Sequence, residues 1–240
     1  MAAAGDPNSY QSRYGKIANI GGMPFGRMAF AAVPEVQGFE MTDVEALRLE
    51  GAHLCLRPLV AADFESYAAL VRANGSHLAP TGSGPTGDDD PTASPEAFAA
   101  FVDDRELQRA LDEAHRFVVE TDGELAGEFA LAGILRGHVQ AALVEGWIGQ
   151  AYAGQHFAPE AYVLLARHAF EDLDLHRLDG AVLPDNAGVK AALAKLGIRS
   201  EGISPNYMRV NGEWRDHERY VLTAEEWAER GADLVRDWLR

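Results

Sequence analysis

Three strands in immediate succession constrain this chain more than any other feature of its sequence. Arg116–Glu120 and Glu124–Leu135 flank Asp122-Gly123, a hairpin signal that demands a positive φ of the glycine, and Val139–Ile148 reads as the third. The chain before them is helical. Asp63–Val71 sets Phe64, Tyr67, Leu70 and Val71 on one face, with Asn74-Gly75 as its stop, and Ser94-Pro95 opens a helix running through Phe98, Phe101, Val102 and Leu107 toward Ala114. Beyond the third strand, helices and strands alternate. A loop spans Gly149–Phe157, then come a long helix from Pro159 to about Leu173 and a strand at Leu178–Leu183. A short helix, Ala187–Leu196, opens at Pro184-Asp185-Asn186 and stops at Gly197. Strands at about Tyr207–Asn211 and His217–Leu222 meet across Asn211-Gly212, and Thr223-Ala224-Glu225-Glu226 is a capping box for a last helix carrying Trp227 and Trp238. With His53–Pro58 as a first strand, the order is β-α-α-β-β-β-α-β-α-β-β. It predicts an α/β fold: a central mixed sheet with helices on both faces and no second domain.

The stretch from Met1 to about Glu45 stands apart, rich in Gly and Pro yet carrying Tyr10, Tyr14, Phe25, Met28, Phe30 and Phe39. It reads either as a loosely draped tail or as an arm packed on the domain, on a neighbouring subunit or over the active site. The organisation expected is an extension over residues 1–47, one domain over 48–227, and the end of the last helix over 228–240. Pro80–Ala93, with three glycines and Asp88-Asp89-Asp90, reads as a loop. The net charge of −16 over 240 residues disfavours binding to phosphate backbones, so no nucleic-acid partner is expected. No apolar run approaches a membrane span and Met1–Gly5 is not a secretory start, which predicts a cytoplasmic protein with no membrane partner. The one cysteine, Cys55, reads as a buried small hydrophobe, and no set of ligands at metal spacing predicts a metal.

The segment Trp147-Ile148-Gly149-Gln150-Ala151-Tyr152-Ala153-Gly154-Gln155-His156-Phe157-Ala158-Pro159-Glu160-Ala161 carries the chemistry. A strand feeds a glycine-containing loop that ends at a helix start, where unpaired N–H groups and the helix dipole suit a pyrophosphate. Neither a Walker lysine nor a G-x-G-x-x-G is present, which removes the NTP and dinucleotide readings.

Across residues 48 to 227 the chain resembles the GNAT acyltransferases, in the branch of the ribosomal-protein N-terminal acetyltransferases RimJ and RimL. The likeness rests on Leu56-Arg57-Pro58-Leu59, Asp122-Gly123-Glu124-Leu125-Ala126-Gly127, Ala169-Phe170-Glu171, Leu175-His176-Arg177-Leu178, Pro184-Asp185-Asn186 and Lys195-Leu196-Gly197. It continues in Glu201-Gly202, Asn211-Gly212-Glu213-Trp214-Arg215-Asp216-His217 and Thr223-Ala224-Glu225-Glu226-Trp227. The resemblance implies a GNAT fold and acetyl-CoA as donor, with Ile148 and Gly149 along the pantetheine arm. It implies Gly154, Gln155, His156, Phe157 and Ala158 at the diphosphate and Asn186 on the pantetheine. The family's loop pattern Arg/Gln-x-x-Gly-x-Gly/Ala is altered here: Ala153 replaces the basic or amide residue and His156 a glycine. A β-carbon at positive φ costs ~1 kcal/mol or more.

Glu145, on the third strand, is the candidate general base; the competing reading is a solvent-facing carboxylate in a very acidic protein. His156 is a candidate phosphate ligand or acid/base, against a loop residue filling the lost phosphate site. Tyr207 is the candidate proton donor to the leaving thiolate, or else a lining residue, with Ser204 a weaker candidate nearby. Arg177 is expected to pair a helix carboxylate, and Asp216-His217 to orient strands. The expected function is N-acyl transfer, acetyl from acetyl-CoA to a primary amine of a protein N-terminus or a small molecule, by direct attack, with a homodimer as a candidate assembly. The alternative is a degenerate GNAT fold with another acyl donor, or a non-catalytic binding module.

Overall fold

Residues 47–82 and 90–240 are described in the computed structural model of the chain. Residues 1–46 of the expected extension and residues 83–89 of the 80–93 loop, Asp88 and Asp89 among them, lie outside the described residues. The elements are β1 (Leu49–Glu50), β2 (Cys55–Arg57), α1 (Phe64–Leu78), α2 (Pro95–Ala110), β3 (Ala114–Thr121), β4 (Glu124–Leu135) and β5 (Ala141–Ile148). Then come α3 (Phe157–Arg167), β6 (Arg177–Val182), α4 (Ala187–Lys195), β7 (Arg199–Val210), β8 (Glu213–Thr223) and α5 (Ala224–Trp238). The strands form one eight-stranded mixed sheet in the order β1-β2-β3-β4-β5-β6-β8-β7.

Both faces of that sheet are covered. On β3, Phe117, Val118 and Val119 are all buried although successive side chains point opposite ways. Phe117 and Val119 meet α3, α4 and α5 through Leu164, Leu165, Leu193 and Trp227. Val118 meets α1 and α2 through Tyr67, Leu70 and Phe98, with Leu125 and Trp147. Each such side chain contributes roughly 2 kcal/mol on burial, which is why helices must flank both sides. Local signals hold the ends. Ser94 Oγ accepts from Ala97 N at 3.2 Å. Thr223 and Glu226 close the expected capping box, and Asp122-Gly123 and Asn211-Gly212 turn at positive φ.

The structure departs from the sequence reading in four places. The chain forms an additional short strand, β1, pairing with β2. Asn74-Gly75 does not stop α1, which runs on to Leu78 with both residues inside it. The third helix begins at Phe157 rather than Pro159, with His156 at the position before it and no side-chain cap, and after Arg167 its turn widens, with Leu173 N–H reaching His168 O. Strands β7 and β8 are longer than expected, and β7 carries irregularities at Ser200/Gly202 and Ser204/Met208 that place Tyr207 in a bulge.

Candidate functional site

The sheet opens where β5 and β6 part. These strands pair in parallel only over Ala141–Leu143 with Arg177–Asp179, although β5 continues to Ile148. Strand geometry decides which groups face the gap. Gly149 N–H donates to Ala126 O at 2.8 Å, toward β4, while Gln140 O accepts from His176 and Arg177 N–H, toward β6. Alternation therefore turns the main-chain groups of Val144, Gly146 and Ile148 toward β6; the Leu143–Asp179 pairing still takes the Val144 N–H, so the Val144 carbonyl and both groups of Gly146 and Ile148 face the gap without a partner strand. Ile148 lies on this open edge; the N–H of Gly149 does not, being held by Ala126. Val144 and Gly146 escape a motif-based reading because an unpaired edge is a property of the sheet and leaves no mark on residue type.

The edge leads into a loop that ends at α3. Gln150–Tyr152 make a tight turn, Tyr152 packs on Phe157 at 6.0 Å, and Gly154 (φ +81°) and His156 (φ +67°) are both left-handed. Phe157 and Ala158 occupy the first turn of α3, where N–H groups have no partner within the helix, and no side chain caps them. Pro159 has no N–H to offer. The strain expected of a side chain at His156 is thus present, but its ring is turned aside. Its Nε2 lies 3.0 Å from Lys195 Nζ at the end of α4, and its face meets Trp238 edge-on at 5.9 Å. Lys195 has no carboxylate partner among the described residues, so an ammonium stands beside open N–H groups and the positive end of a helix. Gln155 is exposed, its side-chain amide donating to Ala151 O.

On the other face of β5, Glu145 points to the same side as Trp147 and is 44% exposed, 3.5 Å from Arg116 Nη1. Tyr207 is held by the Arg219 guanidinium, 4.3 Å from its ring centre, and by His217 edge-on at 6.1 Å. Arg219 in turn bonds Asp179 at 2.9 Å, on β6 where the strands begin to part. Glu145, Tyr207 and His156 therefore have separate partners and make no recorded contact with one another. Asn186 caps α4, its Oδ1 accepting from Val189 N at 3.2 Å. Ser204 sits in β7 opposite His217. Asp216 accepts from Asn206 N and fixes the bulge, in keeping with a strand-orienting role. Arg177 pairs with Asp179 and Glu201, both on strands, and not with a helix carboxylate. Cys55 is buried and burial raises its thiol pKa, which suits a packing role.

Asn74 is the residue the sequence reading passed over. Taken for a helix stop, it lies buried within α1 and accepts from Gln150 N at 2.8 Å, where the chain leaves the open edge. A buried polar residue at a position where α1 is apolar was the available signal.

No helix among the described residues is long and apolar enough to cross a membrane. The described residues contain no group of three or more His, Cys, Asp or Glu placed to hold a metal ion.

Comparison with known proteins bears directly on this arrangement. The family model described as an acetyltransferase (GNAT) domain matches residues 53–199. The chain is 36% identical over 109 residues to "Probable N-acetyltransferase YjcK" of Bacillus subtilis (strain 168), covering 45% of this chain and 60% of that protein. It is 30% identical over 104 residues to the ribosomal protein uS5-alanine N-acetyltransferase of Escherichia coli (strain K12), covering 43% and 54%. The matches thus span little more than half the length of these curated relatives. Among solved structures, Mycobacterium smegmatis RimJ in complex with CoA-disulfide superposes with a TM-score of 0.71 at 26% identity, over 79% of this chain and 92% of that one.

Proposed function

This chain belongs to the GNAT acetyltransferase family, on its RimJ/RimL-like branch, and we propose that it transfers acetyl from acetyl-CoA to a primary amine, the α-amino group of a protein N-terminus. The observation that carries the reading is the open edge of β5 running into the uncapped start of α3. The residues present fit a coenzyme A carrier. An extended amide-bearing arm can pair with the main chain of Val144, Gly146 and Ile148 as an added strand would. The N–H groups of Phe157 and Ala158 and the Lys195 ammonium suit the diphosphate, and Lys195 supplies the charge that Ala153 does not. His156 belongs to this loop as the group that takes the Lys195 hydrogen bond, and Asn186, capping the opposite end of α4 from Lys195, is the candidate for the pantetheine arm.

The acyl donor supplies an activated thioester; the protein positions it and the amine. A strand N–H facing the gap polarises the thioester carbonyl, and the amine attacks in its neutral form without an acyl-enzyme. Glu145, half-exposed on the acceptor face, takes the amine proton directly or through water. Tyr207, steadied by Arg219 and His217, is the donor to the departing sulfur. Against a non-catalytic module stands the edge itself: the main chain from the Val144 carbonyl to Ile148 is left without a partner strand where a sheet would otherwise close. A reaction of this kind belongs in the cytoplasm, where acetyl-CoA and new N-termini meet.

Acetyl transfer to a peptide with a free N-terminus, against the same peptide already N-acetylated, tests the reading. The free peptide alone is expected to be modified. Glu145→Gln is expected to lower kcat about 100-fold with little change in the KM for acetyl-CoA. Lys195→Ala is expected to raise that KM about tenfold with little change in kcat. No transfer to any amine by wild-type protein would refute the proposal.

A further inference from the structure

Asn74 sits deep in α1, 5% exposed, at a position where asparagine has no local reason to be. Its side chain competes with helical backbone bonding and lowers helix propensity, and burial of an amide is costly unless every group finds a partner. Both groups are partnered. Nδ2 donates to Leu70 O at 2.8 Å, and Oδ1 accepts from Gln150 N at 2.8 Å, on a segment 76 residues away. The contact leaves little room for a side chain next door. A β-carbon on Gly149 would stand 3.2 Å from Asn74 Nδ2 and 3.3 Å from Ala126 O. Gly149 and Gln150 are therefore clamped from two sides, by Ala126 of β4 and by Asn74 of α1.

The place of that clamp gives it meaning. It comes directly after Ile148, where the open edge ends and the loop to α3 begins. A carrier whose reactive sulfur and diphosphate are joined by a covalent arm of fixed length needs the strand edge and the helix start held at a matching separation. The next ties along the loop, Tyr152 OH to Glu124 and Tyr152 on Phe157, come two residues later and involve an exposed hydroxyl contact. Asn74 is the tie that reaches the loop from α1, which covers the acceptor face of the sheet.

We propose that Asn74 is a positioning residue for the acyl donor: by holding the N–H of Gln150 it fixes where the chain leaves the open edge of β5, and so sets the distance between the thioester strand and the diphosphate loop. The assignment rests on the reading of coenzyme A as the carrier. It acts through Gln150 and Gly149 and requires no contact with the ligand.

Calorimetric titration with coenzyme A, together with hydrogen exchange at the Gln150 amide, tests it on wild type, Asn74→Ala and Asn74→Asp below their melting temperatures. Asn74→Ala is expected to speed Gln150 exchange and to raise the coenzyme A Kd, each about tenfold. Asn74→Asp keeps an oxygen opposite Gln150 N–H while losing the donor to Leu70 O. It is expected to melt lower, yet to keep Gln150 protected and Kd within about threefold of wild type. A merely structural asparagine would lower both melting temperatures and leave Kd unmoved. Wild-type affinity that Asn74→Ala preserves within about twofold overturns this assignment alone. So does Asn74→Asp protein with a protected Gln150 amide and a lost ligand, which decides the matter should the alanine variant fail to fold. Wild-type protein without affinity for coenzyme A overturns the donor reading and this assignment with it.

Discussion

His115 and His168 form a buried pair behind β3, 3.0 Å apart, with His168 Nδ1 2.7 Å from Asp172 Oδ2. A carboxylate only accepts, so His168 donates to Asp172 through Nδ1 and accepts at Nε2 from His115 Nδ1–H; this tautomer assignment comes from the network. Burial first, and then the neighbouring imidazole, push the pKa of His115 down to about 4. The unfolded chain, with histidine near 6.5, takes up a proton that the folded chain refuses, so stability from this group is complete above pH 6.5 and is lost as pH falls toward 4. The loss is on the order of 2–3 kcal/mol. Calorimetric melting from pH 7 to pH 4.5 is expected to show that slope in wild type and a shallower one in His115→Leu. Equal slopes would remove His115 as its source. His156 illustrates a different limit of residue-level reasoning. Positive φ at that position was foreseeable from the resemblance, and the ring was expected to compete with phosphate for space. The structure shows it directed at Lys195 and Trp238, residues 39 and 82 positions on, which the local sequence does not specify.

Among the elements, the start of α3 is the one on which most depends, and a single carboxylate fastens it. Glu160 is 3% exposed and accepts from the backbone of His53 at 2.8 Å and Leu54 at 3.3 Å, with His53 Nδ1 at 3.0 Å. It ties the β1–β2 turn to the first turn of the helix, where negative charge also suits the dipole. The turn has grown around it: a β-carbon on Gly51 would lie 2.4 Å from its Oε1. Glu160→Ala leaves a buried N–H at Leu54 and a part-buried one at His53 without their acceptor and is expected to cost about 3 kcal/mol in denaturant unfolding, more than Glu160→Gln. A loss below about 1 kcal/mol would show that water replaces the carboxylate there. Elements whose ends carry their own chemistry were legible in the sequence: the Asp122-Gly123 and Asn211-Gly212 turns, the Ser94 cap and the Thr223–Glu226 box all stand where expected. Elements whose ends are set by distant partners were not. Asn74-Gly75 has the composition of a stop, but Asn74 is kept helical by Gln150 and Leu70. Pro159 suggested the first helical position, yet the helix begins two residues earlier, at Phe157.

For the molecule as a whole, the order of strands and helices was enough to predict a mixed sheet covered on both sides, because buried faces leave few other packings. The family resemblance implied Ile148 along a pantetheine arm, and the parting of β5 and β6 is what leaves that edge open. Pairing that stops after three residues depends on how two strands diverge, and no pattern within either strand records it. The net charge of −16 opposes an anionic carrier and favours a cationic amine, so the carrier's attraction must be local, at Lys195 and the first turn of α3. That division of labour, an open edge for the arm and a local positive site for the phosphates, is the account's central claim. Amide hydrogen exchange on β5 with and without coenzyme A tests it most directly. The account predicts that Gly146 and Ile148 become protected when the ligand binds, while Leu143, Glu145 and Trp147, already bonded toward β4, do not change. Binding that protects neither set, or protects the second and leaves the first exchanging freely, would contradict it.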